Sequence, residues 1–526
     1  MRTLWTLLVL AALPGVLYAE GIPVKSELVR NKCGACHNVD SQQRMTRISY
    51  QRKTPEGWEE TVRRMVRLHD VTLTPAEARQ IVQYLSDQHG LTASELAKIS
   101  YALEQHEENE TIPNESVKQA CATCHSYAKI AAQRRTKEEW LKVKNFLLAM
   151  FPTMVYQHRA IDWVATADQA LPYIAEQFPL ESPEWQREKD MTPPPDGTWV
   201  VRGHQAGKGD YVGVAKMTAG ADGARDVQVS LEFSDGSKAT RTTTGHWFGA
   251  AAWRGSTRSP EGGRGKEIFH LSPDGAILHG RWISIDRPGI WAEESLYRGD
   301  TAAQVLNIFP KSTKAGSKSV ELRISGAGFS TNVKPGDVSL GDGVRVVQVK
   351  ESSPSRIVVV ADVAPDAKTG ARDVRVGSVS APAMLAVYDK MDYIRVVPDR
   401  TMARIGGIKF AKQYVQFEAH AFNRGADGVT GNADDLDLGA VKTAWTVQEL
   451  PNAYDDKDHK YVGTIDQNGL FTPNVEGPNP ERARSAENSG DVWVEAEYTP
   501  SAGASPLKAR AYLLVSIPKL KDNLIP

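Results

Sequence analysis

Cysteine is scarce in this chain, with only four among 526 residues. That is too few for a scaffold held together by disulfides. Surplus charge is also missing: 63 Lys and Arg stand against 64 Asp and Glu, a formal net charge of −1. The basic footprint of a nucleic-acid binder is therefore absent. Beyond the N-terminal segment, no stretch is long and apolar enough to span a bilayer. The sequence carries no phosphate-cradling glycine loop, no nucleophile–base constellation and no paired-carboxylate site. Hydrolytic and phosphoryl-transfer chemistries thus have no visible machinery.

What is present is concentrated in the four cysteines. They form Cys33-Gly34-Ala35-Cys36-His37 and Cys121-Ala122-Thr123-Cys124-His125. C-x-x-C-H is the attachment pattern of a c-type haem. Two thiols add across the haem vinyl groups, and the adjacent His turns its imidazole onto the iron. The two-residue spacer lets both sulfurs reach one porphyrin edge from a single helical turn. A lone motif could be a zinc knuckle or a redox dithiol, whereas two motifs using every cysteine predict two covalently bound haem c groups. Cys33, Cys36, Cys121 and Cys124 then carry the thioethers, His37 and His125 ligate the irons, and no thiol is left for a disulfide.

Residues 1–19 read as a secretory signal peptide: Arg2, an apolar run from Leu4 to Val16, and Ala19 before the cut. A membrane anchor is the weaker reading, because the run is short for a span. The expected compartment is the bacterial periplasm, where c-type haems are attached. The length exceeds one core and suggests about three to five domains.

Residues 20 to about 190 have helical periodicity and repeat themselves. Gln51-Arg52-Lys53-Thr54-Pro55-Glu56-Gly57-Trp58 follows the first motif, and Gln133-Arg134-Arg135-Thr136-Lys137-Glu138-Glu139-Trp140 follows the second. Two related cytochrome lobes are expected, 20–107 and 108–190. Thr54 and Thr136 suit helix N-caps, with Pro55 at the first helical position and Glu139 completing a capping box. Thr74 and Glu77 form another box, opening a helix that stops near Gly90, and its counterpart is expected from Ala167 to Phe178. These helices should pack on the haem-binding ones.

The sixth iron ligand has to come from between these helices. In the first lobe, Met65 and His69 are four apart on one helical face. A Met thioether raises the potential, whereas a second His lowers it. Met65 is preferred over a plain core role because Arg63, Arg64 and Arg67 make the rest of that helix polar. In the second lobe Leu147 takes the matching position and cannot bind iron. Met150, Met154 and His158 lie nearby.

After a linker, Asp190 to Gly197, helical periodicity gives way to alternation bounded by Gly and Asp. Residues 191–302 are expected to form a small β-barrel, and 303–390 and 391–526 two immunoglobulin-like sandwiches. The fold class is thus multidomain, an all-α dihaem cytochrome c region followed by all-β domains. Trp247, Trp253 and Trp282 read as core or interface residues. His204, His246, His270 and His279 are scattered without ligand spacing, so no metal is assigned to them. The insert Asn423–Asp437 is rich in carboxylates but lacks EF-hand spacing, and reads as a solvated acidic hairpin rather than a calcium site.

Beyond these motifs, the chain resembles the alpha (haem) subunit of bacterial quinohemoprotein amine dehydrogenase over the whole mature length. The likeness rests on Asn31-Lys32-Cys33, Cys36-His37, Arg47-Ile48-Ser49 with Gln51 to Trp58, and Arg64-Met65. It continues in Cys121 to Ser126, Gln133-Arg134-Arg135, Val143 to Phe146, Pro179 to Ser182, Leu385 to Lys390 and Gly477 to Arg482. The resemblance implies one His/Met haem, fitted by His37 with Met65, and one bis-His haem. The family's N-F-H-L-G is Asn145-Phe146-Leu147-Leu148-Ala149 here, so the second distal His is missing. Met150 or His158 is then the replacement ligand, or the iron is five-coordinate. The resemblance further implies an oxidoreductase complex in which this chain relays electrons. A small gamma subunit would carry cysteine tryptophylquinone, a beta-propeller subunit would help enclose the site, and a periplasmic cytochrome c or blue copper protein would accept the electrons. No catalytic residue is then expected in this chain. The competing readings are a stand-alone dihaem electron carrier and a peroxidase-like haem protein.

Overall fold

The computed structural model describes residues 20–106, 109–299, 303–451, 456–482 and 487–518. The expected signal peptide, residues 1–19, lies outside the described residues. The described residues divide into two compact units, one drawn from 20–92 and 109–190, the other from 93–106 and 191–518.

In chain order the first lobe comprises helix α1 (Glu27–Cys33), strand β1 (Gln51–Lys53), α2 (Pro55–Leu68) and α3 (Pro75–Gln88). Two short helices, α4 (Ala93–Ala97) and α5 (Ser100–Leu103), belong to the second unit. The second lobe follows with α6 (Glu115–Ala120), α7 (Tyr127–Ala131), β2 (Gln133–Arg135) and α8 (Lys137–Met150). It ends with α9 (Met154–Gln157), α10 (Trp163–Gln177) and α11 (Pro183–Glu188).

Capping residues set these boundaries. Thr54 Oγ1 accepts from Gly57 N, and the Thr74–Glu77 box is complete in both directions. The box expected at Thr136 is half formed. Thr136 accepts from Glu139 N, but its own N–H is already given to Tyr50 O across the lobes, which leaves the Glu139 carboxylate for Arg47 and Lys142. Helix α10 starts at Trp163, ahead of the expected Ala167, because Asp162 caps it by accepting from Ala165 N. Each lobe ties its repeat tryptophan to the end of its terminal helix. Trp58 Nε1 donates to His89 O at 2.9 Å and Trp140 Nε1 to Phe178 O at 2.8 Å, both carbonyls at the helix C-caps. Both indoles are almost fully buried, so this is where the terminal helices are fastened to the cores.

The two repeats also pair with each other. β1 and β2 run antiparallel with Gln51 opposite Arg135, Arg52 opposite Arg134, and Lys53 opposite Gln133. Thr54 N donates to Ala132 O and Thr136 N to Tyr50 O, a reciprocal exchange. Equivalent residues meet at one local two-fold axis, and the axis continues where Arg64 on α2 stacks on Phe146 of α8, 4.8 Å from the ring centre.

The second unit begins its sheet structure with a closed antiparallel barrel. Its strands are β3 (Gly197–Gln205), β4 (Gly209–Ala219), β5 (Arg225–Phe233) and β6 (Lys238–Phe248). β7 (Ala252–Arg258), β8 (Arg264–Leu271), β9 (Ile277–Ser284) and β10 (Trp291–Arg298) complete it, with β10 pairing back to β3. Glycine makes room for the expected core tryptophans: a Cβ on Gly245 would lie 2.4 Å from Trp253, and one on Gly265 would lie 2.4 Å from Trp282. Trp253 and Trp247 are buried, and Trp282 is partly buried with its Nε1 donating to Thr257 Oγ1. The interior also holds a charged network. Arg241 makes a bidentate pair with Glu294 (2.8 and 2.6 Å) and a third bond to Glu267 at 3.2 Å. Tyr211 donates to Glu294, while Thr243 and Trp253 donate to Glu267.

Next come β11 (Gln304–Phe309), β12 (Ser312–Lys314), β13 (Val320–Ala327) and β14 (Val338–Ser339). β15 (Val344–Ser352), β16 (Arg356–Val363), β17 (Gly370–Val376) and β18 (Val379–Tyr388) follow. They form two four-stranded sheets, β11-β13-β16-β15 and β12-β18-β17-β14, around one core of Leu322, Ile357, Val374 and Leu385. A last β region, built about Phe417, Phe471, Val494 and Leu513, runs from Tyr393 to Ser516. The acidic insert is the turn of a hairpin between Glu418–Asn423 and Leu436–Val441. Its carboxylates close the loop on itself: Asp434 accepts from Ala426 N, and Asp435 accepts from Gly431 N and Asn432 N.

Candidate functional site

Each cysteine motif continues the last turn of a short helix. Ser26 caps α1 and Asn114 caps α6, which puts Cys33 and Cys121 at the helix ends. The turn then closes with Cys36 N donating to Cys33 O at 3.2 Å and Cys124 N to Cys121 O at 3.3 Å. One thiol of each pair, Cys33 or Cys121, is partly buried and the other is exposed. Burial, with the neighbouring thiol adding to it, pushes Cys33 up and Cys121 up to about 11. None of the four is in a disulfide.

The histidines are held in one way. His37 Nδ1 is 2.9 Å from Thr46 O, and His125 Nδ1 is 2.8 Å from Ser126 O. A backbone carbonyl accepts only from a protonated ring nitrogen, so the proton is fixed on Nδ1 and the Nε2 lone pair stays available. Burial lowers both pKa values below the ordinary imidazole value, against these hydrogen bonds. Neutral Nε2 donors beside paired thiols suit a c-type haem, which takes two thioethers and one imidazole from one turn.

The expected distal residues lie on the following helices. Met65 is partly buried on α2, next to Arg64 at the two-fold contact. His69 is exposed at the α2 C-cap. Leu147 sits on α8 beside Phe146, the symmetric position, and packs with Met154 and Cys121 around Trp163 and Ala167. Met150 is on the last turn of α8, whereas His158 follows α9 and brings its Nε2 within 3.6 Å of Cys124 Sγ. Of the two replacement ligands, the fold brings His158 alone to the second motif by a described contact.

Two of the histidines that looked scattered are brought together by the barrel. His270 and His279 face each other across β8 and β9, and Glu104, just after α5, binds both His270 and His106. Burial would raise the Glu104 pKa, but these two hydrogen bonds hold it down at about 2. His204 bridges Asp210 and Glu418 at 2.7 and 2.8 Å. Contacts between partners 166 and 214 positions apart leave no spacing signal in the chain. Among the described residues, no group of His, Cys, Asp and Glu is arranged to hold a metal ion, and no helix is long and apolar enough to cross a membrane.

A helical region with two C-x-x-C-H motifs, followed by a barrel and further β domains, defines a multidomain haem-binding protein. A family model described as quinohemoprotein amine dehydrogenase A, alpha subunit, haem binding, matches residues 24–185. Models of domains II, III and IV of that subunit match 194–291, 302–389 and 394–525. The chain belongs to the quinohemoprotein amine dehydrogenase alpha-subunit family. No curated protein matches it. Among solved structures, a de novo designed fluorescence-activating β-barrel is 21% identical, with TM-score 0.17, covering 20% of this chain and 92% of that one. Drosophila N-cadherin EC1-4 is 10% identical, with TM-score 0.17, covering 62% and 94%. Scores this low carry no argument.

Proposed function

We propose that this chain is the dihaem electron-transfer subunit of a periplasmic amine dehydrogenase. The observation that carries the reading is the pair of motifs, each with two thiols on one turn and an imidazole whose Nδ1 is tied to a carbonyl. Haem, when bound, takes and gives one electron at a time, so two haems suit a two-electron amine oxidation relayed to a one-electron acceptor. Cys33 and Cys36, with Cys121 and Cys124, would hold the haems covalently, and His37 and His125 would supply the proximal nitrogens. Met65 would be the distal ligand of the first haem. For the second, we favour His158 over Met150 because its Nε2 already lies against Cys124 Sγ.

The quinone cofactor, cysteine tryptophylquinone in this family, would belong to a small partner subunit, with a beta-propeller subunit enclosing the site. The barrel and the immunoglobulin-like domains would form their platform. Periplasmic location is supported by the apolar N-terminal stretch and by the c-type motifs. The acceptor would be a small cytochrome c or blue copper protein. The test is anaerobic addition of a primary amine to the chain alone and to the co-expressed complex. Haem reduction in the complex and not in the isolated chain is expected. Reduction by amine in the isolated chain, or none in the complex, would refute the relay role.

A further inference from the structure

The two-fold contact between the lobes collects three cations, Lys53, Arg64 and Arg135, on which Glu60 and Glu139 act without pairing with them directly. Cross-strand partners in a ladder share a face, so Gln51, Lys53, Gln133 and Arg135 project from one side of β1–β2, and Arg52 and Arg134 from the other. Arg52 and Arg134 spend their guanidinium groups on main-chain carbonyls, Leu180 O and Gly90 O for one, Ala131 O and Gln133 O for the other. Across the ladder, Lys53 Nζ lies over Trp58, and Arg135 lies over Trp140, its equivalent. Lys53 donates to Thr61 Oγ1 at 2.7 Å and Arg135 to Gln133 Oε1 at 2.8 Å, both neutral acceptors. Arg64 adds a third cation, its guanidinium stacked on Phe146.

The carboxylates of this region are already engaged. Glu139 pairs with Arg47 at 3.1 Å and Lys142 at 2.7 Å, and Glu60 with Lys129 at 3.6 Å. Lys53, Arg64 and Arg135 therefore have no carboxylate within ion-pair reach among the described residues. Lys53 is only 5% exposed. A buried, uncompensated ammonium is costly unless an anion joins it. Burial, with Arg135 and Arg64 adding to it, pushes Lys53 well below its ordinary pKa, as expected of an ammonium lacking its counter-charge.

The cluster is tied to the first motif through Arg47, whose charge acts on Lys53, Arg64 and Arg135 and also on His37. Glu139 also acts on His37, and Arg64 and Phe146 immediately precede Met65, the proposed distal ligand, and Leu147, its counterpart. We propose that Lys53, Arg64 and Arg135 form a binding site for the propionate carboxylates of the covalently attached haems, on the two-fold contact between the lobes. The site rests on the dihaem reading. It holds the ionised edge of a haem at the lobe contact and surrounds it with positive charge, which favours the reduced iron.

The test is spectroelectrochemical titration of the full haem-loaded chain across a pH series, with Lys53→Met, Arg135→Gln, their double variant and Lys53→Arg. Both haems stay attached in the expected result. At least one midpoint potential falls and becomes dependent on pH near neutrality, and Lys53→Arg restores the wild-type profile. The Met–iron charge-transfer band identifies whether the responding haem is the first or the second. Wild-type potentials and pH profiles in the loaded double variant would overturn the site. If the variants do not accumulate, redox-difference infrared spectra of the wild type decide. Propionates held by cations give no protonated-carboxyl band at neutral pH, and such a band overturns the proposal. A wild-type chain without two haems would count against the dihaem reading itself.

Discussion

The two lobes differ most at single residues. Met65 and Leu147 hold equivalent places beside the Arg64–Phe146 contact, yet only the thioether can bind iron. Met65→Ala should abolish the Met–iron charge-transfer band at the red end of the oxidised spectrum. It should also lower the potential of one haem, since a thioether favours the reduced iron. An unchanged band would exclude Met65 as ligand. At the second haem, His158→Ala should leave a high-spin iron in EPR spectra, whereas Met150→Ala should not. The reverse pattern would move the ligand to Met150. The four cysteines, with His37 and His125, stand out in the sequence because adjacency makes a motif of them. The approach of His158 to Cys124 was not legible in the sequence, because it depends on the turn at Pro152 and on helix α9, which closes on the motif only in three dimensions.

At the scale of elements, a repeat visible as Q-R-[KR]-T-x-E-x-W turns out to be a symmetry element. Its first three residues pair with their own copy, Arg52 against Arg134. Sequence comparison reveals the likeness, but not that equivalent strands meet. The same pairing explains why the Thr136 box is incomplete, since Tyr50 O takes the N–H that Glu139 would have satisfied. In the barrel, alternation of apolar and polar residues gave the strands away. It did not announce that Arg241, Glu267 and Glu294 all point inward, since charged residues in an alternating strand read as solvent-facing. The Glu294 side chain is fully buried and bidentate to Arg241. Glu294→Gln leaves the guanidinium with less than its charge requires and should destabilise the β unit by about 3–5 kcal/mol. A urea midpoint indistinguishable from wild type would contradict that role.

For the molecule as a whole, family membership follows from four domain matches from residue 24 to 525. Helical and β halves and the barrel were legible from periodicity. Less so was the joining of the barrel to the last β region through charge. His204 faces Asp210 and Glu418, His420 faces Glu418 and Asp437, and Lys311 pairs with Asp210. Burial lowers both histidine pKa values, but the carboxylates outweigh it and raise each to about 9. A raised folded-state pKa gives stability that is complete below the ordinary value of 6.5 and is lost as pH climbs through about 9. The thermal midpoint of the β unit should therefore fall over that interval, and His204→Gln should flatten the slope. Equal slopes for both proteins would remove the ion network from the account of stability.

The central claim is that both motifs carry haem, making the chain a two-centre electron relay. Intact-mass measurement of the exported chain, with peptide mapping and a pyridine haemochrome spectrum, tests it most directly. Two haem c groups per chain are expected, one on the peptide with Cys33 and Cys36 and one on that with Cys121 and Cys124. A chain bearing a single haem, or none, when produced with a working cytochrome c maturation system, would contradict it.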